Sequence, residues 1–346
     1  MDEAAVRDAL SDIEDPDLGD DLVSLGLVNS VTVEDGTIHV DLALGAPYSP
    51  TETNIAGRVR EALSESGLEI DLSASVDRGD PDERVLPTVK NIVAVASGKG
   101  GVGKSTVSVN LAAGLAERGA RVGLFDADIY GPNVPRMLGA DEGPRVTEDE
   151  TMIPPVKHGM KVMSIDFLTG EDSPVIWRGP MVDKYITQLW DVVEWGSLDY
   201  MIVDLPPGTG DAQLSILQSV PVSGAVVVTT PQEVAVDDAR KAMRMFGKFE
   251  TSVLGVVENM SGFVCPDCEN AHDIFGKGGG EAFAREVDMP FLGELPLDPR
   301  VREGGDDGKP IVLGDTDTGE AFREFVAQTA DMQGLVHRNR VARANR

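Results

Sequence analysis

Hydrophobic positions along the chain change their period at residue 91. Before it the apolar runs are short. Ala4 to Ile13 is amphipathic and meets the breaker Asp15-Pro16-Asp17-Leu18-Gly19. Val28 to Leu44 reads as two strands around the turn Glu34-Asp35-Gly36. Ile55, Val59 and Leu63, four apart, predict a helix, and Glu69 to Val76 predicts a further strand. Residues 1–76 are therefore expected to form a small α+β domain, and the polar stretch 77–90 a linker. From Asn91 buried strands alternate with longer helical segments: Ile92 to Ala96, Val122 to Phe125, Tyr200 to Val203, Ala225 to Val228 and Val253 to Val257. That alternation predicts an α/β fold over 91–335, a doubly wound and mostly parallel sheet with helices on both faces. Residues 336–346 carry four Arg and no acid, a short tail that reads as a frayed, solvated helix end rather than a nucleic-acid arm.

Charge narrows the function classes. The chain has 59 acidic and 30 basic residues, a net charge of −29, and only 10 of the basic residues are Lys. Such a surface repels phosphate backbones and anionic lipid, which argues against nucleic-acid and membrane partners. It suits a salt-rich cytoplasm, where screening shortens self-repulsion to a few ångströms at ~1 M salt. No apolar run approaches the ~20 residues of a membrane span, and the opening Met-Asp-Glu-Ala-Ala is unlike a signal peptide, so a cytoplasmic location is expected.

The strongest chemical signal is Gly98-Lys99-Gly100-Gly101-Val102-Gly103-Lys104-Ser105, a full phosphate-binding loop pattern followed by Thr106. It follows a buried strand and opens a helix with Val107, Leu111 and Leu115 four apart. Glycines let backbone N–H groups close around phosphate oxygens at a helix N-terminus. Lys104 would reach the β- and γ-phosphates, and Ser105 would ligate Mg²⁺. Tyr200-Met-Ile-Val-Asp204 is an apolar strand ending in a carboxylate, as a second Mg²⁺-holding residue requires. Strand Val122 to Phe125 runs into Asp126-Ala127-Asp128 in the same way.

Both cysteines lie in Cys265-Pro266-Asp267-Cys268. A CxxC in a cytosolic chain is a redox pair or half of a metal site. Four thiolates make a tetrahedral site and one chain supplies two, so a two-fold dimer would complete it, with Zn²⁺ and an iron–sulfur cluster equally suited.

Lys99, directly after the first glycine, gives the deviant form of the phosphate loop, and the chain resembles the nitrogenase-iron-protein, septum-positioning and partition ATPases. The resemblance implies a face-to-face dimer in which Lys99 reaches the partner's nucleotide. It also assigns Asp128 to polarising the attacking water, Asn133 to a switch segment and Asn259 to the adenine of ATP. Closer still is the Mrp/ApbC family of iron–sulfur cluster carrier ATPases. Asp-Ala-Asp-Ile-Tyr-Gly-Pro-Asn, Trp177-Arg178-Gly179-Pro180, Asp-Leu-Pro-Pro-Gly-Thr-Gly-Asp, Glu258-Asn259-Met260-Ser261 and the CxxC followed by His272-Asp273-Ile274-Phe275-Gly276 carry that likeness. It implies a homodimer holding a labile four-iron cluster between paired Cys265 and Cys268, slow ATP hydrolysis, and cluster transfer to apoproteins supplied by the assembly machinery. The front domain resembles the iron–sulfur assembly (MIP18-like) domain. It departs from that pattern at Ala46-Pro47-Tyr48-Ser49-Pro50, where the family carries a cysteine, so a client-docking role is expected rather than a cluster. Competing readings are a positioning or partition ATPase and an ATPase with structural zinc.

Overall fold

The computed structural model describes residues 1–76, 85–129, 131–168, 186, 188–265, 268 and 270–345. Two compact units emerge, Met1–Gly79 with Ala330–Arg346, and Asp80–Thr329. The Trp177-Arg178-Gly179-Pro180 motif and most of the expected linker lie outside the described residues.

In the first unit α1 (Glu3–Ser11) starts at Asp2, whose carboxylate accepts from the Ala5 N–H at 2.9 Å. Strands β1 (Val28–Glu34) and β2 (Thr37–Leu42) form the expected antiparallel hairpin. Its turn residues Asp35 and Gly36 have φ of 49° and 85°, the left-handed pair that suits a two-residue hairpin turn. Helix α2 (Pro50–Ser64) returns the chain to β3 (Glu69–Ala74), which pairs in parallel with β2. Ile55, Val59 and Leu63 are fully buried against Val6, Leu10 and Ile38.

The end of the chain corrects one expectation. Residues 336–344 are the last turns of a helix that spans Asp317–Ala344, and that end is not solvated, since His337, Arg338 and Ala342 are buried. Arg338 is fully buried, its Nε 2.7 Å from Asp15 Oδ2, Nη1 3.3 Å from Glu52 Oε1 and Nη2 on Asp17. Burial pushes the Asp17 and Glu52 carboxyls up, and Arg338 counters it. Two turns earlier on the same helix, Asp331 accepts from the Ser49 hydroxyl at 2.5 Å and from the Thr51 N–H at 2.9 Å, which places an anion at the start of α2. Counting charge along the tail saw only cations, because their counter-ions lie near the other end of the sequence.

The second unit holds an eight-stranded sheet. Seven parallel strands are β4 (Val89–Ser97), β5 (Val122–Asp126), β6 (Met160–Ser164), β7 (Leu198–Asp204), β8 (Gly224–Thr229), β9 (Val253–Asn259) and β10 (Phe291–Leu295). Their order is β10-β9-β8-β4-β7-β5-β6, and the short strand Val156–Lys157 adds an antiparallel edge. This is the doubly wound fold expected from the alternation. Strand β4 starts inside the segment expected to be linker, and its Val89 is already buried. Strands β6 and β10 escaped the pattern because each is short and interrupted, by Lys161 in one and by Gly293-Glu294 in the other. Helices α3 (Lys104–Glu117), α4 (Val134–Met137), α5 (Asp211–Ser219), α6 (Glu233–Lys248), α7 (Gly279–Glu286) and α8 (Pro299–Asp306) follow successive strands. The central β4 is flanked by β7 and β8, so its carboxyl end opens at the switch point where ligands bind in such sheets.

Two outcomes test this packing. Replacing Arg338 with Met leaves buried carboxylates without their cation, and should cost about 3–5 kcal/mol in a denaturant titration; a loss under about 1 kcal/mol would contradict it. At the start of β7, burial raises the Asp199 carboxyl, but hydrogen bonds from Arg121 and Lys90 outweigh it and bring it down to about 2. A depressed carboxyl stabilises fully above its unfolded value near 3.8 and loses that contribution as pH falls toward 2. Arg121→Ala should therefore lower stability most at neutral pH, and the difference from the wild type should shrink as pH falls toward 2 in denaturant titrations across that range.

Candidate functional site

The phosphate-loop pattern lies where the fold needs it, between the end of β4 and the start of α3. Gly103 has φ of 82°, a left-handed conformation that turns the chain into the helix. A Cβ there would also lie 2.1 Å from the Asn259 side-chain nitrogen. Gly98 packs against the Asp238 backbone, which a Cβ would meet at 2.0 Å. Sheet and α6 thus leave no room for a side chain at either position.

Lys104 is only 5% exposed, an expensive place for an ammonium group. Its Nζ lies 2.7 Å from Asp204 Oδ1 and 3.6 Å from Asp128 Oδ2. The Ser105 hydroxyl donates to Asp204 Oδ2 at 2.6 Å, and Ser108 donates to Oδ1 at 2.6 Å. Asp204 is thereby held by three groups of one helix turn. Asp126, at the end of β5, is fully buried. Desolvation and the Asp204 carboxylate push its carboxyl up to about 7. It accepts from the N–H groups of Asp128 (3.1 Å) and Val134 (3.2 Å) and from the Ser164 hydroxyl (3.1 Å). Those bonds fix the turn that brings Asp128 toward Lys104.

Around this charge centre runs a cleft of about 510 Å³. Lys99, Thr106, Asn133 and Asn259 line it beside the loop, and Arg136 and Arg302 line its far wall. Asn133 is exposed, and its side-chain amide donates to the Gly131 carbonyl at 2.6 Å. Asn259 is 6% exposed and donates to the Val102 carbonyl at 2.8 Å. Asp204, Asp128 and the Ser105 hydroxyl set oxygen donors about Lys104, a chemistry that fits a hard divalent cation such as Mg²⁺. The loop's backbone and Lys104 fit phosphate oxygens. Two contributors were missed from the sequence. Ser108 lies one helical turn beyond Lys104, so its place on the same face was readable. Asp126 precedes Asp128 by two and is the acid on which the apolar strand β5 ends, which is the signal that marks it.

Beyond Asn259 the chain enters a short hairpin, Phe263–Val264 paired antiparallel with Ala271–His272. It carries Cys265, half-buried, and Cys268, exposed. The Cys265 N–H donates to the Asn270 carbonyl at 3.0 Å, and the Asn270 amide lies 3.5 Å from Cys268 Sγ. Pro266 and Asp267 lie outside the described residues. Among the described residues no three His, Cys, Asp or Glu side chains converge to hold a metal ion, and no helix is long and apolar enough to cross a membrane.

Comparison with known proteins agrees with both halves of the chain. Residues 88–330 match the NUBPL iron-transfer P-loop NTPase family, and residues 3–76 match the iron-sulfur cluster assembly protein family. The iron-sulfur cluster carrier protein of Synechocystis is 46% identical over 328 residues, which cover 92% of this chain and 93% of that one. The protein of the same name from Escherichia coli K12 is 40% identical over 95% of this chain and 90% of its own. Among solved structures, the nucleotide-binding protein from Archaeoglobus fulgidus in complex with ADP is 39% identical, with a TM-score of 0.59 over 66% of this chain and 90% of that one. The MinD cell division ATPase of Pyrococcus furiosus shares the fold at 24% identity, with a TM-score of 0.54 over 69% of this chain and 97% of its own. Because one match spans most of the chain and relatives aligned along nearly all of it share 40% or more of its residues, the chain belongs to the iron-transfer P-loop NTPase family.

Proposed function

We propose that the chain is an iron–sulfur cluster carrier of the cytoplasm, whose cluster handling is governed by ATP. The observation that carries this reading is one continuous piece of chain: β9 brings Asn259 onto the phosphate loop and runs on into the hairpin that bears both cysteines. The names of the relatives support the cargo.

In this reading the loop Gly98–Thr106 wraps the phosphates, Lys104 leaves its carboxylate partners for them, and Asn259 lies on the adenine side. Ser105 and Asp204 hold Mg²⁺, which when bound offsets charge on the phosphate oxygens. Asp128, already 3.6 Å from Lys104, orients the attacking water for slow hydrolysis. Asn133 moves with the segment that senses the γ-phosphate, and Lys99 serves the nucleotide of a second subunit. Cys265 and Cys268 supply two thiolates to the cargo, and the same pair from the second subunit completes a four-iron cluster. The front domain docks apoprotein clients or the assembly machinery. Its Ser49 is fully buried and spends its hydroxyl on Asp331, so it has no part in holding metal.

Two measurements test the reading. Anaerobic reconstitution in high salt should give about two irons and two sulfides per chain in a dimer and none in Cys265→Ala; tight zinc in the wild type would favour an ATPase with structural cysteines instead. Lys104→Ala should weaken ATP binding by on the order of 100-fold in calorimetry while cluster loading persists, and cluster delivery that survives the substitution would separate the nucleotide from the cargo.

A further inference from the structure

Glu258 is fully buried, and neither the nucleotide nor the cluster needs it as a ligand. Its carboxylate accepts from the Ser261 hydroxyl at 2.6 Å, the Gly278 N–H at 2.9 Å and the Gly280 N–H at 2.5 Å. Ser261 is where the chain leaves β9 for the cysteine hairpin, and Gly278 and Gly280 are where it returns and starts α7. One side chain therefore closes the base of the whole excursion that carries Cys265 and Cys268. It does so from a strand end that is itself fixed: Ser261 N–H donates to the Leu295 carbonyl and Leu297 N–H to the Gly262 carbonyl, each at 2.9 Å. The neighbouring residue, Asn259, faces the other way along the strand and holds the Val102 carbonyl of the phosphate loop at 2.8 Å. No space separates them, since a Cβ on Gly103 would meet the Asn259 amide and a Cβ on Gly280 would lie 2.9 Å from Glu258 Cβ.

We infer that Glu258 is a positioning residue which ties the cysteine hairpin to the phosphate loop, so that the Glu258-Asn259 pair passes the state of the nucleotide site to the cluster ligands. A carboxylate is the side chain the position requires. It offers only acceptors to three donors, whereas an amide would turn a donor of its own toward at least one of them. The anion also lies at the N-terminus of α7, where the helix dipole favours it. Burial makes the clamp stiff, because the Ser261 hydroxyl and the Gly280 N–H, both buried, lose a partner at a cost if Glu258 releases them. A shift of Val102 when phosphates enter the loop thus has a short, dry path to the base of the hairpin.

This inference rests on the carrier reading, and its test works without a cluster. The chain has two cysteines, both in the hairpin, so the rate of thiol labelling by a disulfide reagent on the reduced, metal-free, full-length protein reports on that hairpin alone. In the wild type, Mg²⁺ with a non-hydrolysable ATP analogue should change the labelling rate by roughly fivefold or more. Glu258→Gln should label faster and at the same rate with and without nucleotide, while its affinity for the analogue stays within about twofold of the wild type. Ser261→Ala, which removes one of the three bonds and leaves the buried anion paired, should show an intermediate response, and supplies the test if Glu258→Gln does not fold. A wild-type labelling rate indifferent to bound nucleotide, or a Glu258→Gln or Ser261→Ala protein that keeps the full response, overturns the inference. Iron and sulfide content after reconstitution of the same proteins judges the carrier reading separately.

Discussion

A lysine ammonium enclosed among carboxylates at the carboxyl end of a parallel sheet sets most of what surrounds it. Lys104 cannot be buried alone, so Asp204 and Asp128 must arrive from two other strands, and their approach fixes the order β4, β7, β5 at the centre of the sheet. Those carboxylates repel each other in turn. The hydroxyls of Ser105 and Ser108 take up Asp204, and Asp126 takes the strain as a carboxyl pushed up to about 7. Without nucleotide the site satisfies itself. A phosphate that draws Lys104 away leaves its former partners with unbalanced negative charge, which is the condition under which a divalent cation binds well.

Much of this was legible. The phosphate loop is local in sequence, and its glycines mark backbone positions that admit no side chain, so Gly98 and Gly103 could be read with their neighbours unknown. An apolar strand ending in acid marks Asp204, whereas Asp128, two residues past the strand-end Asp126, was singled out only through the family resemblance. What the sequence hid were partners set by tertiary approach. Glu258 looks like one acid in a surface-rich complement of 59, and its role depends on Gly278 and Gly280 returning to it. Arg338 looks like one of four arginines at a chain end, and its meaning depends on Asp15, Asp17 and Glu52. Short interrupted strands such as β10 were hidden for a simpler reason: five residues with a glycine inside carry too little periodicity to be read.

The scarcity of cations gives these interior pairs added weight. With 30 basic residues against 59 acidic ones, Lys104 and Arg338 lie inside the two units, and Lys90 and Arg121 converge on the largely buried Asp199. Salt that quiets the acidic exterior reaches the buried contacts of Lys104 and Arg338 far less than those of the part-exposed Lys90 and Arg121. A chain of this composition can let its surface be governed by solution ions while its interior keeps a few charge contacts that solution ions do not weaken.

The grouping of residues 330–345 with the front module has a consequence for synthesis. A ribosome makes the strands and helices of residues 1–76 first, yet the cation that neutralises Asp15, Asp17 and Glu52 is translated only after the entire P-loop unit. Domains ordinarily complete themselves in the order in which they emerge. Here the first to emerge must wait, holding an unbalanced acidic cluster, and is finished last, so nascent chains stalled anywhere before the final helix carry an incomplete front module.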